Sequence, residues 1–194
     1  MTVVGHVLTG AALGITVLPR RSSLLRAMMH LLTFGLLANV PDLPVGDWGH
    51  ELYYYSHSVF SNLILIILAA LLLTFSPRLS RRIGGWPVVL VGAAAWLSHL
   101  LLDSLYGHGL GVGIFWPFSR ARLALPIPWF SVMDGGLFPF TPEKARILLI
   151  EIACFLPLFI LAVLFHRLRV RETDRRLRPP GRAPARSQGA APRR

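Results

Sequence analysis

The chain has 194 residues, 54% of them hydrophobic and 15% charged, with a mean hydropathy of +0.56. A soluble domain of this size needs more charge to cover its surface, so these values exclude an ordinary soluble protein and indicate an integral membrane one. The net charge of +11 resembles a nucleic-acid signature, but ten of the twenty basic residues lie between Arg167 and Arg194, without aromatic interleaving or a binding fold.

Apolar segments at residues 3–18, 24–40, 59–75, 86–106 and 145–165 predict an all-α membrane bundle of about five spans. The last three approach the roughly 20 residues that cross a hydrocarbon core. The first two are shorter and read either as tilted spans in a thinned bilayer or as a re-entrant pair. The first also lacks a basic start and a small-residue cleavage site, which argues against a removable signal peptide.

Arginines 20, 21 and 26 join the first two segments, and arginines 78, 81 and 82 join the third and fourth. With the ten in the tail they put sixteen of twenty basic residues on one side, which the positive-inside rule makes cytoplasmic. Arg120, Arg122, Lys144 and Arg146 fall on the other side, together with Asp42, Asp47, Glu51, Asp103, Asp134, Glu143 and five of the seven histidines. The chemistry is therefore expected to face outward. Residues 107–142 form a long outer loop whose aromatics and prolines suit headgroup level, and it is expected to fold back over the outer mouth. Residues 169–194, rich in Arg, Pro, Gly and Ala, are expected to form a disordered cytoplasmic tail touching anionic lipid, after a membrane-embedded domain spanning 1–168.

Within the fourth segment, "WLSHLLLDS" sets His99 and Asp103 one helical turn apart on one face. Ionisable groups at that depth are expensive and normally pair inside a bundle, so a structural hydrogen-bonded pair is the plain reading. Other groups converge on the same side. "NVPDLP" places Asp42 just past the second segment, and "YYSHSVF" places His57 at the mouth of the third, with Ser56 or Ser58 as helix cap. His6 adds a fifth group from the first. Imidazoles with carboxylates suit zinc, manganese or iron better than calcium. Such an ion lowers the pKa of bound water and polarises an ester or phosphoryl oxygen.

Lesser candidates surround this set. Glu151, inside the fifth segment, either completes the site or pairs with Arg146. Arg120 and Arg122 after "WPFS" either bind a phosphate group of the substrate or anchor the loop to headgroups. His50 and His108 read as surface histidines, and His30, His166 and Cys154 as packing or interfacial residues. The single cysteine excludes an internal disulfide and a cysteine metal cluster. No Gly-Lys-Ser or Gly-Lys-Thr follows the glycines from Gly107, so they form no phosphate loop.

The blocks "GHVLTGAALG", "NVPDLP", "YYYSHSVFSN" and "HLLLDSLYGHGLGVGIFWPFSRARLALP" resemble those of the YdjM-like family of inner-membrane-associated proteins, assigned as metal-dependent hydrolases. The resemblance covers about residues 1–126, and the fourth block is the most specific. It implies a bacterial inner-membrane location and metal-site positions at His6, Asp42, His57, His99 and Asp103. Two departures stand out. Pro44 occupies the place of a frequent second aspartate, which points to one metal, and "LYYY" replaces an arginine and glycine before His57, which alters how an anionic substrate is held.

From these residues we expect a metal-dependent hydrolase using zinc or manganese, with Asp42, His57 and Asp103 in catalysis and an ester or phosphoester substrate. A lipid-linked substrate suits headgroup depth. The alternative is a non-catalytic metal-binding, transport or structural membrane protein, but a transporter carries ionisable groups through the full membrane depth, whereas here they gather at one end.

Overall fold

The computed structural model describes residues 2–43, 53–106, 111–125, 127–133 and 138–177. Pro44, Asp47, His50, Glu51, the glycines at 107 and 109, His108, Asp134 and residues 178–194 lie outside the described residues. Seven α-helices occur among the described residues: α1 (Val3–Ile15), α2 (Leu24–Leu37), α3 (Tyr53–Ser56), α4 (Val59–Phe75), α5 (Pro77–Ile83), α6 (Trp86–Ser104) and α7 (Pro142–Leu177). A 3₁₀ turn, Val40–Asp42, follows α2, and among the described residues extended segments pair in an isolated bridge between Val112 and Leu123.

The helix starts follow local chemistry. Ser23 and Ser58 accept backbone N–H groups at the starts of α2 and α4, the role that serine fills best at an N-cap. Proline at the first turn opens α5 and α6, where its missing N–H costs nothing. Gly84 ends α5 in the left-handed conformation at φ 106°, which a side chain would strain.

Helix α1 lies at the centre, packed on α2, α6 and α7. Its crossing with α2 depends on small residues. A Cβ on Gly10 would overlap the Phe34 carbonyl and the Ala38 methyl, and one on Gly14 would overlap the Phe34 ring. This close approach seats Phe34 and Ala38 in a core with Ala11 and Ile15. A second core stacks Tyr106 on Phe130 at 4.7 Å and Phe130 near Phe155 at 6.0 Å, tying the long loop to α7.

Two helices, α6 and α7, are long and apolar enough to cross a membrane, and α4 with α5 adds a third if that pair, bent by 110°, is one span. Helices α1 and α2 have only 13 and 14 residues, about 20 Å at 1.5 Å per residue. Exposed Leu, Ile and Phe side chains along α2, α4, α6 and α7 form the outer surface, as expected of helices immersed in acyl chains.

The C-terminal part differs from the expected disordered tail. Helix α7 does not stop near residue 165 but runs on to Leu177. At 36 residues it is about 54 Å long, which exceeds a bilayer core. Its last turns carry exposed charged residues, among them Glu172 and Arg176, which pair at 2.9 Å in i,i+4 register.

Candidate metal centre

The site is assembled at one end of the bundle from four chain segments. Asp42 enters from the 3₁₀ turn after α2, His57 from the junction of α3 and α4, His99 and Asp103 from the end of α6, and His6 from the start of α1. His6, His57 and His99 are fully buried and Asp103 nearly so, while the Asp42 side chain keeps 30% exposure. The cluster therefore meets the outside through Asp42.

His57 Nε2 lies 3.2 Å from Asp42 Oδ1, 3.3 Å from Asp103 Oδ2 and 3.3 Å from His99 Nε2. His99 Nε2 lies 3.6 Å from Asp42 Oδ1 and 3.3 Å from Asp103 Oδ2. All five separations are close to the roughly 3.4 Å between ligand atoms of a four-coordinate site with metal bonds of about 2.1 Å. His6 Nε2 meets the other oxygen of Asp103, Oδ1, at 3.2 Å, and its ring stacks on His99 with centroids 3.9 Å apart. One ligand atom each from His6, Asp42, His99 and Asp103 likewise falls within 4.8 Å.

Hydrogen bonds behind the cluster orient the rings. His99 Nδ1 donates to the Ala38 carbonyl at 2.9 Å, since a carbonyl can only accept. With Nδ1 so engaged, Nε2 faces two carboxylate oxygens, to which it either donates as an imidazolium or turns a lone pair that a cation at their convergence would take. His57 Nδ1 is 2.7 Å from Ser56 Oγ, which holds Nε2 toward the same point. Asn62 donates to the Ser56 and Ser58 carbonyls at 2.7 Å each and accepts from the Trp96 indole at 2.6 Å, clamping the turn that carries His57 to α6. Burial alone would raise the Asp42 carboxyl, but its interactions with His57 and His99 outweigh that and hold it well below the usual carboxylate range.

The buried histidine and aspartate group can hold a metal ion, and its donors fit one with mixed nitrogen and oxygen preference. All five positions expected from the sequence are thus brought together. The loop folds over the same end: Val59 donates to the Ile114 carbonyl at 3.0 Å, the Ser58 hydroxyl donates to the Trp116 carbonyl, and Leu125 donates to the Ser104 carbonyl at 2.7 Å.

Other candidates fall elsewhere. Glu151 is buried, but it accepts from the Thr2 N–H at 2.9 Å, the Gly5 N–H at 3.2 Å and the Thr2 hydroxyl, so it caps α1 instead of joining the cluster or pairing with Arg146. Arg122 donates to the Tyr54 hydroxyl at 2.9 Å and the Gly111 carbonyl at 3.3 Å, with its guanidinium over the Tyr54 ring; it fastens the loop to α3. Arg120 is exposed. His30 bonds the Gly14 carbonyl at 3.0 Å between α1 and α2, His166 lies toward the opposite end, and Cys154 packs beside the aromatic core. Asn62 and Trp96 were not singled out from the sequence, although an asparagine four residues into an apolar helix is itself a signal that a buried partner waits for it.

Fold and cluster together define a helical membrane protein with a buried histidine and aspartate centre at one end. A family model described as YdjM inner membrane protein matches residues 1–170, and the chain belongs to that family. The chain is 31% identical over 149 residues to inner membrane protein YbcI of Escherichia coli (strain K12), an alignment covering 74% of this chain and 81% of that protein. No solved structure matches.

Proposed function

We propose that the protein is a multi-pass metal-dependent hydrolase of the inner membrane, with its centre at the outer face and its C-terminus in the cytoplasm. The observation that carries this reading is the convergence of one donor atom each from His57, His99, Asp42 and Asp103 at separations of 3.2 to 3.6 Å. Those four residues would hold a zinc or manganese ion, and His6 would orient Asp103 through its second oxygen. When bound, the ion supplies Lewis acidity toward an ester or phosphoester oxygen. Asp42, the member with an exposed edge, would hold a water at the mouth by accepting its hydrogen bond, with His57 and Asp103 orienting it.

The five-pass arrangement follows if α1 and α2 cross as short, tilted spans in a locally thinned bilayer. A transporter is disfavoured because, among the described residues, the ionisable groups of the cluster gather at one end and do not line a path along the bundle.

Metal analysis of detergent-purified protein tests the reading. Bound metal near one ion per chain is expected, with loss in His99→Ala and Asp103→Ala. Unchanged metal content in both variants would overturn the site. Hydrolysis of generic phosphoester and carboxylic ester substrates, lost in the same variants, then separates an enzyme from a passive binder.

A further inference from the structure

At the end of the bundle opposite the cluster, a cleft of about 390 Å³ lies between the turn after α1, the turn before α6 and the outgoing part of α7. Arg20 and Arg169 contribute its charge, and His166, Thr16, Pro19 and Pro87 are among its walls. Neither Arg20 nor Arg169 makes an ion pair or side-chain hydrogen bond among the described residues. Asp174 lines a neighbouring concavity with Arg20 and Arg21, and Glu172 is engaged by Arg176, so the surplus at this end stays positive. Residues 178–194 contain no Asp or Glu and add further arginines, so they bring nothing to neutralise it.

The cleft sits where the apolar surface of α7 ends. Exposed Leu164, Phe165 and Leu168 lie directly before Arg169, and exposed Trp86 and Leu90 flank the start of α6. A concave cationic surface continuous with an apolar one matches a ligand that carries an anionic head on acyl chains.

We propose that this cleft binds the headgroup of an anionic glycerophospholipid, with its phosphate held between Arg20 and Arg169 and its chains along α6 and α7. The site is independent of the metal centre. Each arginine is worth about a fivefold change in affinity, at roughly 1 kcal/mol per basic residue near an anionic surface.

The test is native mass spectrometry of the purified full chain titrated with phosphatidylglycerol or phosphatidylcholine in mixed micelles. Retention of phosphatidylglycerol over phosphatidylcholine is expected, about thirtyfold weaker in Arg20→Gln/Arg169→Gln. Arg78→Gln/Arg82→Gln, which removes equal charge from the same end but outside the cleft, should leave it unchanged. Equal losses in the two pairs would overturn the site in favour of diffuse charge. Displacement by glycerol phosphate at the concentration of the lipid would overturn a lipid as its ligand. The single variants Arg20→Gln and Arg169→Gln keep the comparison decisive if the double variant folds poorly.

Discussion

His99 shows how much one side chain depends on what stands behind it. Its Nδ1–H is committed to the Ala38 carbonyl at 2.9 Å, so Nε2 is the ring atom that faces Asp42 and Asp103. The His57 ring is held in a related way by Ser56 Oγ, 2.7 Å from its Nδ1, although a hydroxyl can donate as well as accept. Partners behind a ligand typically alter metal affinity by about 10- to 100-fold. Ser56→Ala is therefore expected to weaken zinc binding by about that factor in a competition titration with a chelator, without changing the number of ions bound. An unaltered affinity would show that Ser56 merely caps a turn.

At the scale of the helices, α1 decides whether the cluster forms. Glu151 of α7 caps its first turn through Thr2 and Gly5, one residue before His6. A carboxylate there also complements the positive end of the helix dipole. Farther along, Gly10 lets α1 lie against the backbone of α2, the helix that leads into Asp42. Gly10→Ala gains up to about 1 kcal/mol of helix propensity. The new methyl meets a carbonyl and the Ala38 methyl, neither of which can swing aside, and overpacking costs about 1–3 kcal/mol. A lower melting temperature in detergent is expected; an unchanged or higher one would mean that α1 and α2 part easily.

The described molecule is polarised, with a histidine and aspartate cluster at one end and an arginine-lined cleft at the other. This asymmetry sets the orientation expected in the membrane. A fluorescent-protein fusion after Arg194 should fluoresce and an alkaline phosphatase fusion at the same position should be inactive, while phosphatase inserted within residues 107–142 should be active. The reverse pattern would place the metal centre in the cytoplasm and rule out an outward-facing hydrolase.

The sequence by itself determined the membrane class, the position of the apolar helices and the five residues of the cluster. Those features are local or compositional: hydropathy reports burial in lipid, and a histidine or aspartate inside such a run is too costly to stand without a partner. It also narrowed the cap of α4 to Ser56 or Ser58, because an N-cap needs only its own helix, and Ser58 is the one that fills it. Tertiary structure decided the rest. Glu151 and Arg122 have the chemistry of site residues, yet Glu151 serves the α1 terminus and Arg122 a tyrosine and a loop carbonyl, choices set by neighbours 146 and 68 positions away. The helical run to Leu177 and the clamp of Asn62 on Trp96 were likewise hidden, since composition cannot reveal which distant group will satisfy a polar atom once water is gone.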